Sequence, residues 1–514
     1  MNCIAILDIG KTNKKLFLIN EQYHIVYERS MTFPETKDED GDNCEDIHLL
    51  TKWVKDSLKE LTAHPDLHVK AMNFSTYGAS FVYLNEKGDV IAPLYNYLKS
   101  YPPILQEKFH NKYGGQLQVC SETASPALGS LNAGLQLFRI KEQQPELYKQ
   151  IRYALHLPQY VSYLVSGKFM ADITSIGCHT MLWDFARQEY HRWVKDEGLE
   201  TKLPPIFPGN EVTVCCSRDV YQDNSGSAFT SPLQPINTGS PGISRSDTPS
   251  GSQGTINAGP AGTATSDTSF QQSTWFVGAG LHDSSAALIP YLESFQEPFI
   301  LVSTGTWCIT LNPFNNQPLT PEELAQDCLC YLTYQGRPVK AARLFAGNEH
   351  ELQVRRLSEY YQTPVNYYQQ IAFDPAIFAH LQATAVKEAP LAGKDLLQAS
   401  RFAHRSLSDF TSYEIAYHQL IMDLMEQQQH STALVTNGTA VRRIFVDGGF
   451  GKNPVYMHML AAAFPHMEVF AASVAQATAI GAALAIHRHW NTQSLPGDLV
   501  EMRHYAVNRE LAYR

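Results

Sequence analysis

The start of the chain has two short apolar runs on either side of a polar turn, a pattern typical of a β-hairpin. The runs cover residues 4–7 and 16–19, and Asp8 follows the first of them. The turn offers backbone N–H groups, a hydroxyl group and ammonium groups; it consists of Gly10, Lys11, Thr12, Asn13 and Lys14. Two interpretations fit these residues equally well: a Mg²⁺–phosphate site, and a polar turn that binds nothing.

The same strand–turn–strand plan returns at residues 299–311, where the turn is Ser303-Thr-Gly-Thr306. Two such turns on separate halves of a chain can clamp a triphosphate through backbone N–H groups, with Asp8 near a Mg²⁺ ion that keeps several waters. A P-loop does not account for the first turn. Ala5 stands where that motif needs its first glycine, and a second strand follows instead of a helix.

Size and composition indicate a globular chain with more than one domain. With 514 residues, 44% hydrophobic and 18% charged, the chain fits two large α/β domains or about three smaller ones. The net charge of −11 argues against binding to nucleic acid or to an anionic membrane. No apolar run has the length of a signal peptide or a membrane span, and the nine scattered cysteines lack zinc-ligand spacing. We therefore expect a cytoplasmic protein with reduced thiols.

Hydrophobic periodicity divides the rest of the chain into helices, strands and one compositionally biased segment. It predicts a helix near residues 47–61, a strand at 69–74, a hairpin at 81–91 and mostly helices from 130 to 200. Between residues 217 and 272 Ser, Thr, Gly and Pro dominate, which is typical of a surface insertion that cannot bury enough apolar area to order itself. Strands at 274–277, 299–303 and 443–446 each run into a turn rich in glycine or hydroxyl groups.

Asp283 is the strongest candidate for a general base. It follows a strand that ends in glycines and stands where a helix of small residues begins. A carboxylate there can accept the proton of a substrate hydroxyl group that attacks a γ-phosphate. A capping aspartate at the start of a helix explains the same position. The neighbouring His282 fits a packing role better than a catalytic one.

Five motifs in this order resemble the FGGY family of carbohydrate kinases. They are Asp8-Ile-Gly-Lys-Thr-Asn13, Ser75-Thr-Tyr-Gly78, Gly280-Leu-His-Asp-Ser284, Ser303-Thr-Gly-Thr-Trp307 and Asp447-Gly-Gly-Phe-Gly-Lys-Asn453. The similarity is greatest to the branch of rhamnulokinases, fuculokinases and related ketose kinases. It implies an α/β fold with two ribonuclease H-like domains, of the actin-like ASKHA class, around a central cleft. The sugar-side domain is then residues 1–283, the nucleotide-side domain 284–490 and a C-terminal tail 491–514.

The resemblance also implies ligands and a role for each matching residue. The ligands are ATP, Mg²⁺ and a small sugar, and homodimers are common in the family. Asp283 corresponds to the catalytic base and Asp8 to the carboxylate on the metal side. The sugar contacts correspond to Thr76, Tyr77, Gly78 and His282, together with the base. The nucleotide contacts correspond to Gly10, Lys11, Thr12, Asn13, Lys14, Thr304, Gly305, Thr306, Gly448, Gly449 and Asn453. Gln353 is a further nucleotide candidate, at a spacing that differs by one residue.

Together these roles describe an ATP-dependent kinase that phosphorylates a hydroxyl group of a ketose such as L-fuculose, L-rhamnulose or a pentulose. The alternative is a catalytically silent sensor of the same fold, and an actin-like ATPase is a third hypothesis. Lys11 departs from the family, in which most members have a small residue at this position. Its ammonium group can either contact a phosphate or block one.

Overall fold

The structure is a computed structural model that describes residues 1–61, 66–216, 274–384 and 400–506. The predicted insertion at 217–272 lies outside these ranges. Among the helices that are described, each is too short or too polar to cross a lipid bilayer.

Strands and helices both occur throughout the described residues. The strands, in chain order, are β1 (Asn2–Ile9), β2 (Asn13–Asn20), β3 (Ile25–Thr32), β4 (Glu35–Lys37), β5 (Asn43–Glu45), β6 (His68–Thr76), β7 (Phe81–Leu84), β8 (Tyr153–His156), β9 (Trp183–Asp184), β10 (Glu189–Tyr190), β11 (Val212–Cys216), β12 (Thr274–Gly278), β13 (Leu281–His282), β14 (Phe299–Thr304), β15 (Cys308–Asn312), β16 (Cys328–Leu332), β17 (Pro338–Leu344), β18 (Arg443–Gly448), β19 (Glu468–Ser473) and β20 (Glu501–Tyr505). The α-helices are Ile47–Leu61, Pro103–Lys112, Gln116–Glu122, Ala133–Gln143, Pro145–Gln150, Leu157–Ser166, Ile173–Ile176, Arg192–Asp196, Asp283–Ser294, Pro321–Ala325, Ala346–Tyr361, Pro375–Thr384, Tyr413–Thr436, Pro454–Ala463, Ala477–Ala485 and His487–Trp490.

The first half of the chain is built on a seven-stranded sheet with a parallel centre. Its strand order is β11-β12-β6-β1-β2-β3, and β13 also pairs with β6. β1, β12 and β13 all run parallel to β6. Ile9 is paired with Thr76, and Thr76 with His282. The carboxyl ends of these strands therefore lie side by side at one edge, where α/β sheets commonly bind ligands.

A second seven-stranded sheet repeats this plan in the other half. Its order is β16-β17-β15-β14-β18-β19-β20. β14 and β15 form an antiparallel hairpin, and β18 lies parallel to β14 on the other side. Thr304 at the end of β14 is paired with Gly448 at the end of β18, which brings the second predicted turn and the glycine-rich segment together. The two sheets are the two α/β halves that the sequence predicts.

Two helices cross at very short distance between the halves. Helix Asp283–Ser294 follows β13 directly, and helix Ala477–Ala485 packs across it. A Cβ atom on Gly481 would lie 1.8 Å from the Ala286 carbonyl oxygen, so only glycine permits this approach. The Asn73 side-chain amide donates a 2.8 Å hydrogen bond to the Ala482 carbonyl group, which attaches the later helix to β6.

One local prediction is confirmed and another is incomplete. The hairpin predicted at 81–91 is present, with an antiparallel bridge between Leu84 and Val90 and a turn closed by the Gly88 N–H group. Its first arm, β7, also pairs with β8. Residues 130–200, predicted to be mostly helices, contain helices but also β8, β9 and β10. β8 is a short apolar segment that continues into the helix Leu157–Ser166, and periodicity does not distinguish such a strand from a buried helical turn.

Candidate active site

Asp283 stands at the edge where the parallel strands of the first sheet end. β13 ends at His282, and the helix Asp283–Ser294 begins at the next residue. The side chain is 35% exposed, and its Oδ1 atom accepts a 2.7 Å hydrogen bond from the Ser284 N–H group. Burial raises the pKa of this carboxyl group from 3.8 to about 6, against the opposing effect of Ser284. The carboxylate is accessible, fixed in orientation and more basic than an ordinary aspartate.

His282 packs against Gly78 and contacts the candidate base. Its Nε2 atom lies 3.2 Å from Asp283 Oδ1 and 3.2 Å from Cys178 Sγ. Burial lowers the pKa of His282 to about 3, so the imidazole is neutral at physiological pH and serves as a hydrogen-bonding group. Thr76 is its neighbour across the strands. The structure therefore brings the predicted sugar-side residues Thr76, Gly78 and His282 together around the base.

Asp8 lies one strand further along the same edge. Its Oδ2 atom accepts a 2.9 Å hydrogen bond from the hydroxyl group of Thr478. Burial raises the pKa of Asp8 to about 6; the Thr478 bond lowers it, and the negative charge of Asp283 raises it again. The two carboxylates are thus close enough to repel each other. The sequence analysis did not identify Thr478. Its position, as a hydroxyl residue at the start of a helix of small residues, is only a weak indication of a functional contact.

The turn between β1 and β2 presents polar groups to solvent. The Gly10 N–H group donates a 2.9 Å bond to the Asn13 carbonyl group and closes the turn. Thr12 and Asn13 are exposed. Lys11 Nζ lies 3.2 Å from Glu35 Oε1, so this unusual ammonium group has a carboxylate partner within the protein.

Lys14 stabilises the same turn from inside. Its ammonium group is buried, donates to the carbonyl groups of Gly10 (3.2 Å) and Lys11 (3.0 Å), and is paired with Glu45. Glu45 also accepts a hydrogen bond from the Tyr77 hydroxyl group. The side chains of Lys14 and Tyr77 therefore connect the first turn to the segment of the predicted sugar contacts. Lys14 has this positioning role in the structure, and its phosphate contact stays a prediction.

The second turn and the glycine-rich segment are bonded to each other. The Thr304 hydroxyl group donates to the Asp447 carbonyl group (2.5 Å) and accepts from the Phe450 N–H group (3.0 Å). The Gly449 N–H group donates to the Thr304 carbonyl group at 3.1 Å. Gly448 has a φ of +92°, and a Cβ atom there would lie 1.9 Å from the Thr304 oxygen. Thr304 is thus structural, whereas Gly305, Thr306 and Gly449 are exposed.

Asn453 and Gln353 use their side-chain amides within the protein. Asn453 Oδ1 accepts from the N–H groups of Val455 (3.1 Å) and Tyr456 (3.2 Å), and its Nδ2 atom donates to the Tyr417 hydroxyl group. This is an N-cap of the helix Pro454–Ala463. Gln353 is 8% exposed and donates to Glu349 at 3.1 Å. Both residues hold the surroundings of the second turn in place.

One helix connects the two parts of the site. Asp283 begins it, and the hydroxyl group of Tyr291 donates a 2.9 Å bond to Asp447 Oδ2 at the end of β18. Eight residues separate these positions, a rise of about 12 Å along a helix axis. Tyr291 thus attaches the glycine-rich segment at Asp447 to the helix that begins with the candidate base.

Two further features border the site. Tyr97 is partly exposed, and its pKa is raised by burial and then by the negative charge of Asp283, which places this tyrosine near the base. A cavity of about 660 Å³ lies beside the second turn and includes Trp307, Arg343 and Phe345 in its wall. Its other wall comes from residues 116–128 of the first half, so it opens between the two halves.

We expect Gly78→Ala to weaken use of the sugar more than use of the nucleotide. The added Cβ atom would lie 2.6 Å from His282 Cδ2, and the imidazole ring would have to move away from the base. A displacement of this size typically lowers kcat/KM about tenfold or more. Steady-state kinetics with each substrate varied in turn would measure this; an unchanged sugar KM and kcat would contradict the placement of His282.

Comparison with known proteins gives two family matches along the chain. The profile described as "FGGY family of carbohydrate kinases, N-terminal domain" matches residues 3–226, and that described as "Carbohydrate kinase FGGY, C-terminal domain" matches residues 296–494.

Individual relatives are distant. The chain is 22% identical over 198 residues to a rhamnulokinase of Mannheimia succiniciproducens, which covers 36% of this chain and 40% of that protein. It is also 22% identical over 209 residues to an L-fuculokinase of Escherichia coli. This match covers 39% of this chain and 43% of that protein. The matched stretches thus span less than half of these curated relatives. A ligand-bound xylulose kinase of Lactobacillus acidophilus superposes with a TM-score of 0.72 at 14% identity, over 100% of this chain and 95% of that chain. This superposition confirms the predicted two-domain α/β fold.

Proposed function

We propose that this chain, which belongs to the FGGY family of carbohydrate kinases, transfers the γ-phosphate of ATP to a hydroxyl group of a small ketose. The observation that carries the proposal is the position of Asp283. It is an accessible carboxylate with a pKa of about 6, 3.2 Å from a neutral histidine and beside the ends of three parallel strands. General bases work best when their pKa lies near the working pH.

In the proposed reaction the chain positions the sugar and moves one proton. The attacking sugar hydroxyl group donates its proton to Asp283 as its oxygen forms a bond to the γ-phosphorus atom. His282 and Tyr97 orient the sugar through hydrogen bonds and ring contact. The Gly10 and Gly305 N–H groups close the two turns. The backbone N–H groups of the exposed residues Thr12 and Thr306 stabilise charge on the phosphate oxygens.

Asp8 fits a Mg²⁺ site on the nucleotide side of the base. Mg²⁺ prefers oxygen ligands and is usually held by one or two carboxylates together with substrate phosphates and waters. Asp8 and Asp283 are two partly buried carboxyl groups that repel each other, and a nearby cation would relieve this repulsion. Mg²⁺ would supply neutralisation of phosphate charge, with Asp8 holding the ion directly or through water.

The sugar itself is a further proposal. The relatives reported above are a rhamnulokinase, an L-fuculokinase and a xylulose kinase, so a ketohexose and a pentulose both fit. The residues that would discriminate between them are those that approach the base from the sugar side: Tyr97, Gly78 and His282. The cytoplasmic location, the homodimer and the boundary at residue 283 stay predictions from the sequence.

A panel of sugars tests this function. Sugar-dependent release of ADP would be followed in a coupled assay with L-fuculose, L-rhamnulose, D- and L-pentuloses, gluconate and glycerol. We expect turnover with one or a few ketoses. ATP binding without turnover of any sugar would favour the catalytically silent sensor. ATP hydrolysis at the same rate with and without each sugar would favour an ATPase.

The pH profile should reflect the raised carboxyl pKa values. Asp283 must be deprotonated to accept a proton, so kcat/KM should rise as the pH increases through about 6 and then reach a plateau. Asp8 has a pKa of about 6 as well, and the two groups interact, so the acid limb should be steeper than a single titration. Full activity well below that pH would contradict the role of Asp283.

A further inference from the structure

Three side chains that bind soft metal ions meet beside the candidate base. Cys178 and His179 follow the helix Ile173–Ile176, and His282 ends β13. One donor atom from each residue lies within 4.8 Å of the other two. The sequence gives no sign of this cluster, because about a hundred residues separate its two parts and the spacing matches no metal motif.

We propose that Cys178, His179 and His282 form a binding site for a thiophilic divalent cation such as Zn²⁺, and that the bound cation blocks phosphorylation of the sugar. Zn²⁺ is typically held by thiolate and imidazole groups at about 2.3 and 2.0 Å in tetrahedral geometry. Ligand atoms in such a site are therefore about 3.5 Å apart. Cys178 Sγ and His282 Nε2 are 3.2 Å apart, so little movement is needed.

A backbone carbonyl group already orients the imidazole ring of His179. His179 Nδ1 lies 3.2 Å from the Leu131 carbonyl oxygen, which holds the proton on Nδ1 and leaves Nε2 free as a ligand. Histidines that bind zinc usually have such a partner on the other ring nitrogen. At His282 the backbone is fixed, since its N–H group donates a 2.9 Å bond to the Thr174 hydroxyl group, while Nδ1 of its ring has no hydrogen-bond partner among the described residues. Both residues are almost completely buried, so their positions are fixed before a cation binds.

Three protein ligands leave a fourth coordination position open. Asp283 Oδ1 lies 3.2 Å from His282 Nε2, so the base borders this position. A cation here would withdraw His282 from the sugar and attract the Asp283 carboxylate, which would make it a weaker base. Inhibition should therefore compete with the sugar and leave the ATP KM unchanged. This consequence rests on the proposed function, whereas binding of the cation does not.

Cobalt spectroscopy tests the site without any enzyme assay. Co²⁺ bound through a thiolate gives a charge-transfer band in the near ultraviolet, so titration of the full chain with Co²⁺ should produce this band with a stoichiometry of one. Cys178→Ser replaces the thiol with a slightly smaller hydroxyl group that still forms hydrogen bonds but gives no thiolate, and the band should disappear. Cys3→Ser is the matched control, since Cys3 is also buried but lies at the opposite end of β1 from Asp8. Absence of the band in the unaltered chain, or its persistence in Cys178→Ser, would overturn the proposal.

Inhibition by Zn²⁺ tests the consequence. With free Zn²⁺ set by a metal buffer and MgATP in excess, each variant is compared with its own activity in the absence of Zn²⁺. The Zn²⁺ concentration for half inhibition should rise at least about tenfold in Cys178→Ser and stay unchanged in Cys3→Ser. Equal sensitivity of the two variants would overturn the inhibitory role. A cobalt band in a chain that phosphorylates no sugar would leave the metal site supported and the proposed function rejected.

Discussion

Asp283→Asn should lower kcat for sugar phosphorylation about 1,000-fold, because general-base catalysis typically contributes 10²–10⁴-fold. The asparagine amide has the size of the carboxyl group but does not accept the hydroxyl proton at physiological pH. The second turn and the glycine-rich segment lie on the other sheet, and the exchange leaves the first turn unaltered. The dissociation constant for ATP should therefore stay within about twofold of that of the unaltered chain, a difference of about 0.4 kcal/mol. We expect the variant to bind ATP normally but to phosphorylate the sugar very slowly. A turnover near that of the unaltered chain would show that Asp283 is not the general base.

Thermal unfolding provides a control for this variant. The pKa of Asp283 is raised in the folded protein from 3.8 to about 6. Such a carboxyl group adds to stability while it is protonated, and this contribution is lost as the pH rises from 3.8 through about 6. Asparagine stays neutral throughout, so the Tm of the variant relative to the unaltered chain should increase over the same range. A variant less stable than the unaltered chain at neutral pH would indicate that its inactivity comes from misfolding.

Gly481→Ala should reduce both stability and activity. Its Cβ atom would lie 1.8 Å from the Ala286 carbonyl oxygen, an overlap that forces the helices Ala477–Ala485 and Asp283–Ser294 apart. Overpacking of this kind costs about 3 kcal/mol of the free energy of unfolding. Asp283 begins the displaced helix, and a shift of about 1 Å at a catalytic group can lower kcat about 100-fold. Chemical denaturation and steady-state kinetics on the same preparation would measure both effects.

Gly497→Ala is the matched control for the helix crossing. It makes the same chemical change in the same half of the chain, but no atom lies within 4 Å of the added Cβ position. Its stability and kcat should equal those of the unaltered chain within error. If Gly481→Ala behaves like Gly497→Ala, the close crossing of the two helices does not hold Asp283 in position.

The fold was predictable where the sequence pattern is local. The opening hairpin, the helix Ile47–Leu61 and the strand–turn–strand segment at β14–β15 follow from apolar periodicity and turn residues. The position of β8 was not, because β7 and β8 pair across an intervening stretch of about 70 residues and the local pattern of β8 matches a helix. Long-range pairing of that kind depends on the rest of the core, which no short window contains.

Sequence motifs predicted which residues form the candidate site better than they predicted what each side chain does there. Asp8, Gly78, His282 and Asp283 were identified from their motifs, and the structure places them at one sheet edge. The side-chain directions were not visible. Lys14 turns inward to Glu45, and Asn453 caps a helix. Thr478 comes from a segment 470 residues away from Asp8.

The most direct test of the account is detection of the product. The purified chain would be incubated with ATP, Mg²⁺ and the best ketose of the panel, and ³¹P NMR would follow all phosphorus species together. We predict that a sugar phosphate resonance grows in equal amount to ADP, and that Asp283→Asn produces neither. ADP with inorganic phosphate and no sugar phosphate, or equal product from Asp283→Asn, would contradict the account.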